Sequence, residues 1–124
     1  HAYRDQSSQP WAACVRIGPL LLALALTVPA TAQEVLTPEQ AETRLRGCLQ
    51  AGAAGAPRTG LRDAVVATRA LCAPQIKRVR ANRVAAATQG LTDEAAERAE
   101  QQATLELNDE IALAIANFTG LRTL

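Results

Sequence analysis

The chain has 124 residues, of which 48% are hydrophobic, 20% charged and 2% aromatic, and its formal net charge is +1. This length fits a single domain, and the balanced charge excludes a strongly basic nucleic-acid-binding arm or an acidic tail. The apolar content excludes an intrinsically disordered chain. Because 27 of the residues are alanine, we expect a thin, helical core.

Residues 15–32 have the organisation of a secretory signal peptide. Arg16 provides a short positive region, residues 17–28 form an apolar stretch, and Ala30 and Ala32 supply the small residues of a cleavage site. We expect cleavage after Ala32 and export to the periplasm or to the outside of the cell. The alternative is an uncleaved membrane anchor, but the apolar stretch is shorter than the roughly 20 residues that a spanning helix needs.

The polar residues 1–14 precede the positive region and match no part of a signal peptide. We interpret them as the product of an over-extended reading frame, with translation starting at Val15. The chain then divides into this extension (1–14), the signal peptide (15–32) and a single helical domain (33–124).

The side chains that most hydrolytic enzymes use are confined to the start of the chain. Every His, Ser, Tyr and Trp lies within the first 11 residues. The expected exported domain therefore has no Ser-His-acid triad, no His-ligated zinc site and no His general base. We predict that the protein is not an enzyme and uses no metal or cofactor.

The first predicted helix begins with Thr37 as the N-cap, Pro38 in the first turn and Gln40 completing a capping box. Its apolar residues recur at helical spacing: Ala41, Leu45, Cys48 and Leu49. The glycines and the proline within residues 51–57 predict a loop.

A second helical segment follows, with Thr59 as its predicted cap. One apolar phase runs through the segment: Leu61, Val65, Thr68, Cys72, Ile76 and Val79. Pro74 interrupts this phase, because proline lacks an N–H and crowds the preceding turn. The sequence therefore predicts either two shorter helices that meet near residues 73–74 or one kinked helix, with Gly90 as the C-terminal cap.

The last predicted helix opens at residues 92–94, where two acids favour the helix dipole, and extends to Thr119 before Gly120 stops it. Its apolar stripe consists of Ala96, Ala99, Ala103, Leu107, Ile111, Ala114 and Phe118. No segment alternates apolar and polar residues as a strand would. The predicted fold is all-α: a small antiparallel bundle of three or four helices.

Cys48 and Cys72 are the only cysteines after the expected cleavage site, and both lie on predicted apolar stripes. In an oxidising compartment such a pair favours a structural disulfide. Two buried free thiols, a redox pair or a metal site are the alternatives. A redox pair is disfavoured, because 23 residues separate the two cysteines where redox motifs have two.

Charge is segregated along the expected domain. Nine basic residues and one acid lie between Arg44 and Arg83, and seven acids and one base lie between Asp93 and Glu110. In one interpretation, the acidic helix folds back beside the basic helices and forms mostly solvated ion pairs with them. The other is a basic face for an anionic partner such as lipid headgroups: Arg69, Lys77, Arg80 and Arg83. Nucleic acid is not expected, because no aromatic residue is interleaved to stack on bases.

Residues 111–118 are apolar on nearly every side, which predicts either a central core helix or an interface with a partner or a second copy. The candidate interface residues are Leu107, Ile111, Ile115 and Phe118.

We therefore expect an exported, non-catalytic helical protein that binds an unidentified protein or a second copy of itself. A peripheral membrane-surface protein that uses the basic face is the first alternative. The architecture also resembles that of small exported bacterial proteins, among them acid-stress periplasmic chaperones. That resemblance implies a chaperone-like stress role as the second alternative and no residue-level correspondence. The Ala, Arg and Leu bias suggests a GC-rich bacterial genome.

Overall fold

The structure is a computed structural model that describes residues 35–122, which form four α-helices and no strand. The helices are α1 (Pro38–Ala54), α2 (Leu61–Leu71), α3 (Ala73–Ala87) and α4 (Asp93–Thr119). The prediction of an all-α fold is confirmed. The predicted extension, signal peptide and cleavage residues Ala30 and Ala32 lie outside the described residues. Within the described part of the chain, no helix is long and apolar enough to cross a membrane.

The start of α1 is the capping box that the sequence predicts. The Gln40 N–H donates to Thr37 Oγ1 at 3.1 Å, and the Thr37 N–H donates to Gln40 Oε1 at 3.0 Å. The prediction of a loop from residue 51 is wrong, because α1 continues through Gly52 to Ala54. Gly52 is buried, and a Cβ atom added to it would lie 3.0 Å from Thr68 Cγ2. This close packing against α2 outweighs the helix-propensity cost of glycine, which is about 1 kcal/mol.

The middle segment consists of two helices that meet at Cys72, so the kinked-helix alternative does not apply. Cys72 is both the C-cap of α2 and the N-cap of α3, and Pro74 lies in the first turn of α3, where its missing N–H is tolerated. Thr59 is not the cap of α2, contrary to the prediction. Gly60 occupies that position, and the Thr59 hydroxyl instead donates to the Asp63 carboxylate.

The predicted C-cap of α3 is wrong by two residues, and the predicted end of α4 is confirmed. α3 ends at Ala87 with Thr88 as its C-cap, while Gly90 takes a left-handed φ of +77° in the following turn. Gly120, with φ of +76°, caps α4 in the left-handed conformation.

The contacts between helices set the chain direction. Cys48 bonds to Cys72, and Gly52, one turn later in α1, packs on Thr68, one turn earlier in α2. α1 and α2 are therefore antiparallel. Arg58, just before α2, donates to the Thr119 carbonyl at the end of α4, and Arg69 near the end of α2 donates to Asn108 in α4. α2 and α4 are also antiparallel.

All four helices contribute to one core. The buried apolar residues of this core are Ala41, Leu45, Leu49, Ala53, Ala64, Cys72, Ile76, Val79, Leu107, Ile111 and Ile115. The predicted phase of α2 and α3 is confirmed from Thr68 to Val79. In α4 the buried residues recur every four positions: Leu107, Ile111, Ile115 and Thr119. Ala114 and Phe118, which the prediction placed on the buried face, are half-buried and exposed, respectively.

Candidate functional site

The two cysteines form the predicted disulfide. Cys48 in α1 and Cys72 at the α2–α3 junction have their Sγ atoms 2.07 Å apart and their Cα atoms 5.9 Å apart. Cys72 is completely buried, and Cys48 packs at the edge of the core. The bond therefore joins α1 to the point where α2 and α3 meet, which fixes three helices with one crosslink.

Three of the four predicted interface residues are core residues. Leu107, Ile111 and Ile115 are at most 2% exposed, because α1, α2 and α3 cover this face of α4. The interface prediction is therefore wrong for these three side chains. Phe118 is 40% exposed, and Leu113 on the same helix is 64% exposed. Leu113 and Phe118 are therefore the large apolar side chains that this part of α4 leaves exposed.

Leu113 and Phe118 border an open groove between α1 and α4, which we call the α1/α4 groove. Its volume is about 270 Å³. The floor is apolar and includes Leu45 and Leu49 of α1 together with Ala114 of α4. Charged residues from three helices close one end of the groove: Glu42, Arg46, Arg83 and Glu110.

Arg83 organises the charged end of the α1/α4 groove. Its Nε and Nη2 atoms donate to the two Glu42 carboxylate oxygens, each at 2.9 Å. Its guanidinium also binds the Glu110 carboxylate, with Nη2 lying 3.1 Å from Oε1. One arginine of α3 thereby holds a carboxylate of α1 and a carboxylate of α4. Sequence reasoning missed this cluster, because Glu42 lies 41 residues from Arg83 and no local pattern marks the pair.

The cluster shifts the ionisation of its members. Hydrogen bonding to Arg83 lowers the pKa of the Glu42 carboxyl below its ordinary value, against the opposing effect of partial burial, and the positive charges of Arg83 and Arg46 lower it further. The same bonds raise the pKa of Arg83. The groove therefore keeps fixed charges at one end across the neutral pH range.

The predicted anion-binding residues do not form one free basic face. Arg83 is bound to two carboxylates, and Arg69 donates to Asn108 Oδ1 at 3.3 Å. Lys77 and Arg80 remain on α3, and within residues 35–122 neither one forms an ion pair. Arg78, which the prediction did not include, also forms no ion pair in the same described region, and it borders a second cavity together with Ala41 and Arg44 of α1.

The described residues contain no group of three or more His, Cys, Asp or Glu side chains arranged to hold a metal ion. Comparison of the chain with known proteins gave no matching family model, no matching curated protein and no matching solved structure. The site is therefore interpreted from its own geometry.

Proposed function

We propose that this protein is exported and acts without catalysis, by binding another protein through the α1/α4 groove. The observation that carries the proposal is the apolar floor of the groove next to two large exposed apolar side chains, Leu113 and Phe118. Such side chains rim hydrophobic grooves that bind the apolar face of a partner helix. Export is supported by the signal-like residues 15–32 and by the Cys48–Cys72 disulfide, which suits an oxidising compartment.

The open shape of the groove favours a protein partner over a small molecule. Small-molecule sites usually have volumes of ~300–1,000 Å³ and enclose most of the ligand, whereas this groove has about 270 Å³ and is open. A space of this kind suits one or two apolar anchor side chains from a partner segment.

The charges at the groove end favour a partner with an acidic residue near those anchors. Glu42 and Glu110 are both bound to Arg83, whereas Arg46 has no hydrogen bond or ion pair within the described part of the chain. Arg46 is the groove charge that a partner carboxylate would meet. The preferred partner is thus an amphipathic segment with one or two large apolar residues and an adjacent acid.

The chaperone-like alternative uses the same groove and differs in the number of clients. A photo-crosslinking amino acid at Phe118, in the cells that make the protein, distinguishes the two possibilities. We expect one protein to be captured, whereas a chaperone would capture many unrelated ones. The control position is Val66 of α2, which is 63% exposed and lies outside the groove.

A matched pair of leucines tests whether the groove itself is responsible. Leu113→Asp places a charge at the groove, while Leu105→Asp places one on the same helix at similar exposure, 60% against 64%, outside the groove. Capture should disappear with Leu113→Asp and persist with Leu105→Asp. Equal capture by both variants, or equal crosslinking from Val66, would refute the groove as the binding site.

Export has its own test, which is independent of any partner. The intact mass of the protein recovered outside the cytoplasm should correspond to a chain that starts at Gln33. Cys48 and Cys72 should react with an alkylating reagent only after reduction. A mass that retains residues 15–32 would overturn the cleavage proposal.

A further inference from the structure

A cavity smaller than the α1/α4 groove lies between α1 and α3, and we call it the α1/α3 cavity. Its volume is about 110 Å³, and it shares no lining residue with the α1/α4 groove. Ala41 and Arg44 are three residues apart on α1, and Gln75 and Arg78 are three apart on α3, so each pair shares one face of its helix. The complete lining is Leu36, Ala41, Arg44, Pro74, Gln75 and Arg78. One arginine from each of two helices is thereby brought to the same cavity.

The α1/α3 cavity is bordered by two positive charges and by no acid. Within residues 35–122, neither Arg44 nor Arg78 forms an ion pair. Two like charges beside one small cavity repel each other, and an anion bound between them replaces this repulsion with attraction. The first turn of α3, which includes Pro74 and Gln75, borders the same cavity and contains no acid. The positive end of the α3 dipole therefore adds to the potential that the two arginines create.

The side-chain amide of Gln75 is a further polar group in the lining of the α1/α3 cavity. Its Oε1 atom is buried and has no hydrogen-bond partner in the described part of the chain, although buried polar atoms in proteins nearly always have one. The protein thus leaves the oxygen of this amide without a partner. An amide also carries two N–H donors, which suit the oxygens of an anion.

The charge and the size of the α1/α3 cavity favour a phosphate group over other anions. A carboxylate carries one negative charge and can be held by a single arginine, whereas a phosphate monoester carries about −1.5 to −2 at neutral pH and has three strong acceptor oxygens. The volume of about 110 Å³ exceeds the ~30 Å³ share of one water molecule. It is smaller than the ~300–1,000 Å³ of sites that enclose a whole small molecule. The cavity therefore admits a phosphate group and leaves the rest of its ligand outside.

We propose that the α1/α3 cavity binds the phosphate group of a phosphorylated small molecule or of a lipid headgroup. The guanidinium groups of Arg44 and Arg78 bind the phosphate oxygens, and the Gln75 amide is a further donor. None of these three residues belongs to the anion-binding set that the sequence predicted. The cavity and the α1/α4 groove have no lining residue in common, so this site stands independently of the proposed function.

Titration of the purified full chain with inorganic phosphate, followed by two-dimensional NMR of the backbone amides, is the first measurement. We expect saturable shifts that fit one binding site and are centred on Arg44, Gln75 and Arg78. Sodium chloride at the same ionic strength should give no such saturation, because screening acts on every exposed charge. The melting temperature should rise with the phosphate concentration, since the ligand binds the folded protein. Absent shifts, or shifts spread evenly over all the basic residues, overturn the proposal.

A matched pair of double variants tests which residues are responsible. Arg44→Gln with Arg78→Gln removes both charges that border the cavity, whereas Lys77→Gln with Arg80→Gln removes the same net charge from residues that do not line it. Phosphate binding should weaken by about tenfold or more in the first variant and stay nearly unchanged in the second. Arg44 and Arg78 are exposed, so the first variant should keep its helical circular dichroism. An equal loss of binding in both variants shows a response to net charge alone and refutes the site.

Two further measurements distinguish a soluble ligand from a membrane lipid. Glycerol phosphate presents the phosphate group in solution, and vesicles that contain phosphatidic acid present it at a membrane surface. Binding of glycerol phosphate that is lost in Arg44→Gln with Arg78→Gln, without a change in vesicle cosedimentation, assigns the site to a soluble ligand. Loss of vesicle cosedimentation in the same variant assigns it to a lipid headgroup. If neither interaction depends on these two arginines, the proposal fails.

Discussion

Reducing the Cys48–Cys72 disulfide should cost the domain a large share of its stability. The crosslink spans a sequence separation of 24, and closing a loop of that length restricts the unfolded chain by about 3.5 kcal/mol. The typical stability of a small domain is ~5–15 kcal/mol. Since three of the eleven core residues are alanines, apolar burial per residue is modest, and we expect this domain near the lower end of that range.

The assay is urea unfolding followed by circular dichroism at the helical signal, with and without a phosphine reductant. We expect the free energy of unfolding to fall by about 3.5 kcal/mol on reduction, and the melting temperature to fall by roughly 15–25 °C. The denaturant slope should also rise, because the reduced chain exposes more surface when it unfolds. The measurement belongs in a Cys14→Ser background, since a third thiol could exchange with the disulfide.

A second variant separates the crosslink from the packing of the sulfur atoms. Cys48→Ala with Cys72→Ala removes the crosslink and the Sγ atoms, and Cys72 is completely buried. This variant should therefore be less stable than the reduced natural protein, by about 1 kcal/mol. A change of less than about 1 kcal/mol on reduction would refute the argument that the crosslink acts through the unfolded chain.

Three further predictions concern packing and charge. Gly52→Ala should destabilise the domain by about 1 kcal/mol, because the new Cβ would lie 3.0 Å from Thr68 Cγ2. Gly47→Ala should stabilise it by about 0.5–1 kcal/mol in the same urea assay, because a Cβ atom at Gly47 has no atom within 4 Å and alanine favours the helix. Equal effects of the two substitutions would contradict the close packing of α1 on α2. Thr68→Val should stabilise the domain by about 1 kcal/mol, because the buried Thr68 hydroxyl oxygen has no hydrogen-bond partner, and a loss of stability would reveal a partner for it. The pKa of the Glu42 carboxyl is lowered in the folded state. The ionised carboxylate therefore stabilises the folded protein above the unfolded pKa of about 4.3, and this stabilisation is lost as the pH falls through the lower folded value. Arg83→Met should therefore reduce stability by about 1 kcal/mol at pH 7 and by less at pH 3, and an equal loss at both values would refute the linkage.

Local sequence signals predicted the helices, and tertiary contacts explain most of the errors. The Thr37 capping box and the Gly120 stop depend only on neighbouring residues, and both are present. The continuation of α1 through Gly52 depends on α2, because that glycine allows the close approach of Thr68. A composition-based prediction of a loop cannot include that contact.

The candidate site was less predictable than the fold for the same reason. Helical spacing placed Leu107 and Ile111 on one face of α4, but spacing alone does not say whether neighbouring helices cover that face. The structure buries both residues and leaves Leu113 exposed beside α1. The Arg83 cluster depends on partners 41 and 27 residues away, so the sequence shows the charges without their pairing.

The uneven burial of α4 has a consequence for backbone dynamics. All 27 residues form one continuous helix, yet its buried residues all lie between Ala103 and Thr119. Backbone amides of residues 93–102, none of which is buried, can exchange with solvent by local fraying, whereas those around Ile111 and Ile115 require unfolding of the core. Amide hydrogen exchange along this single helix should therefore change from fast to slow between residues 102 and 107.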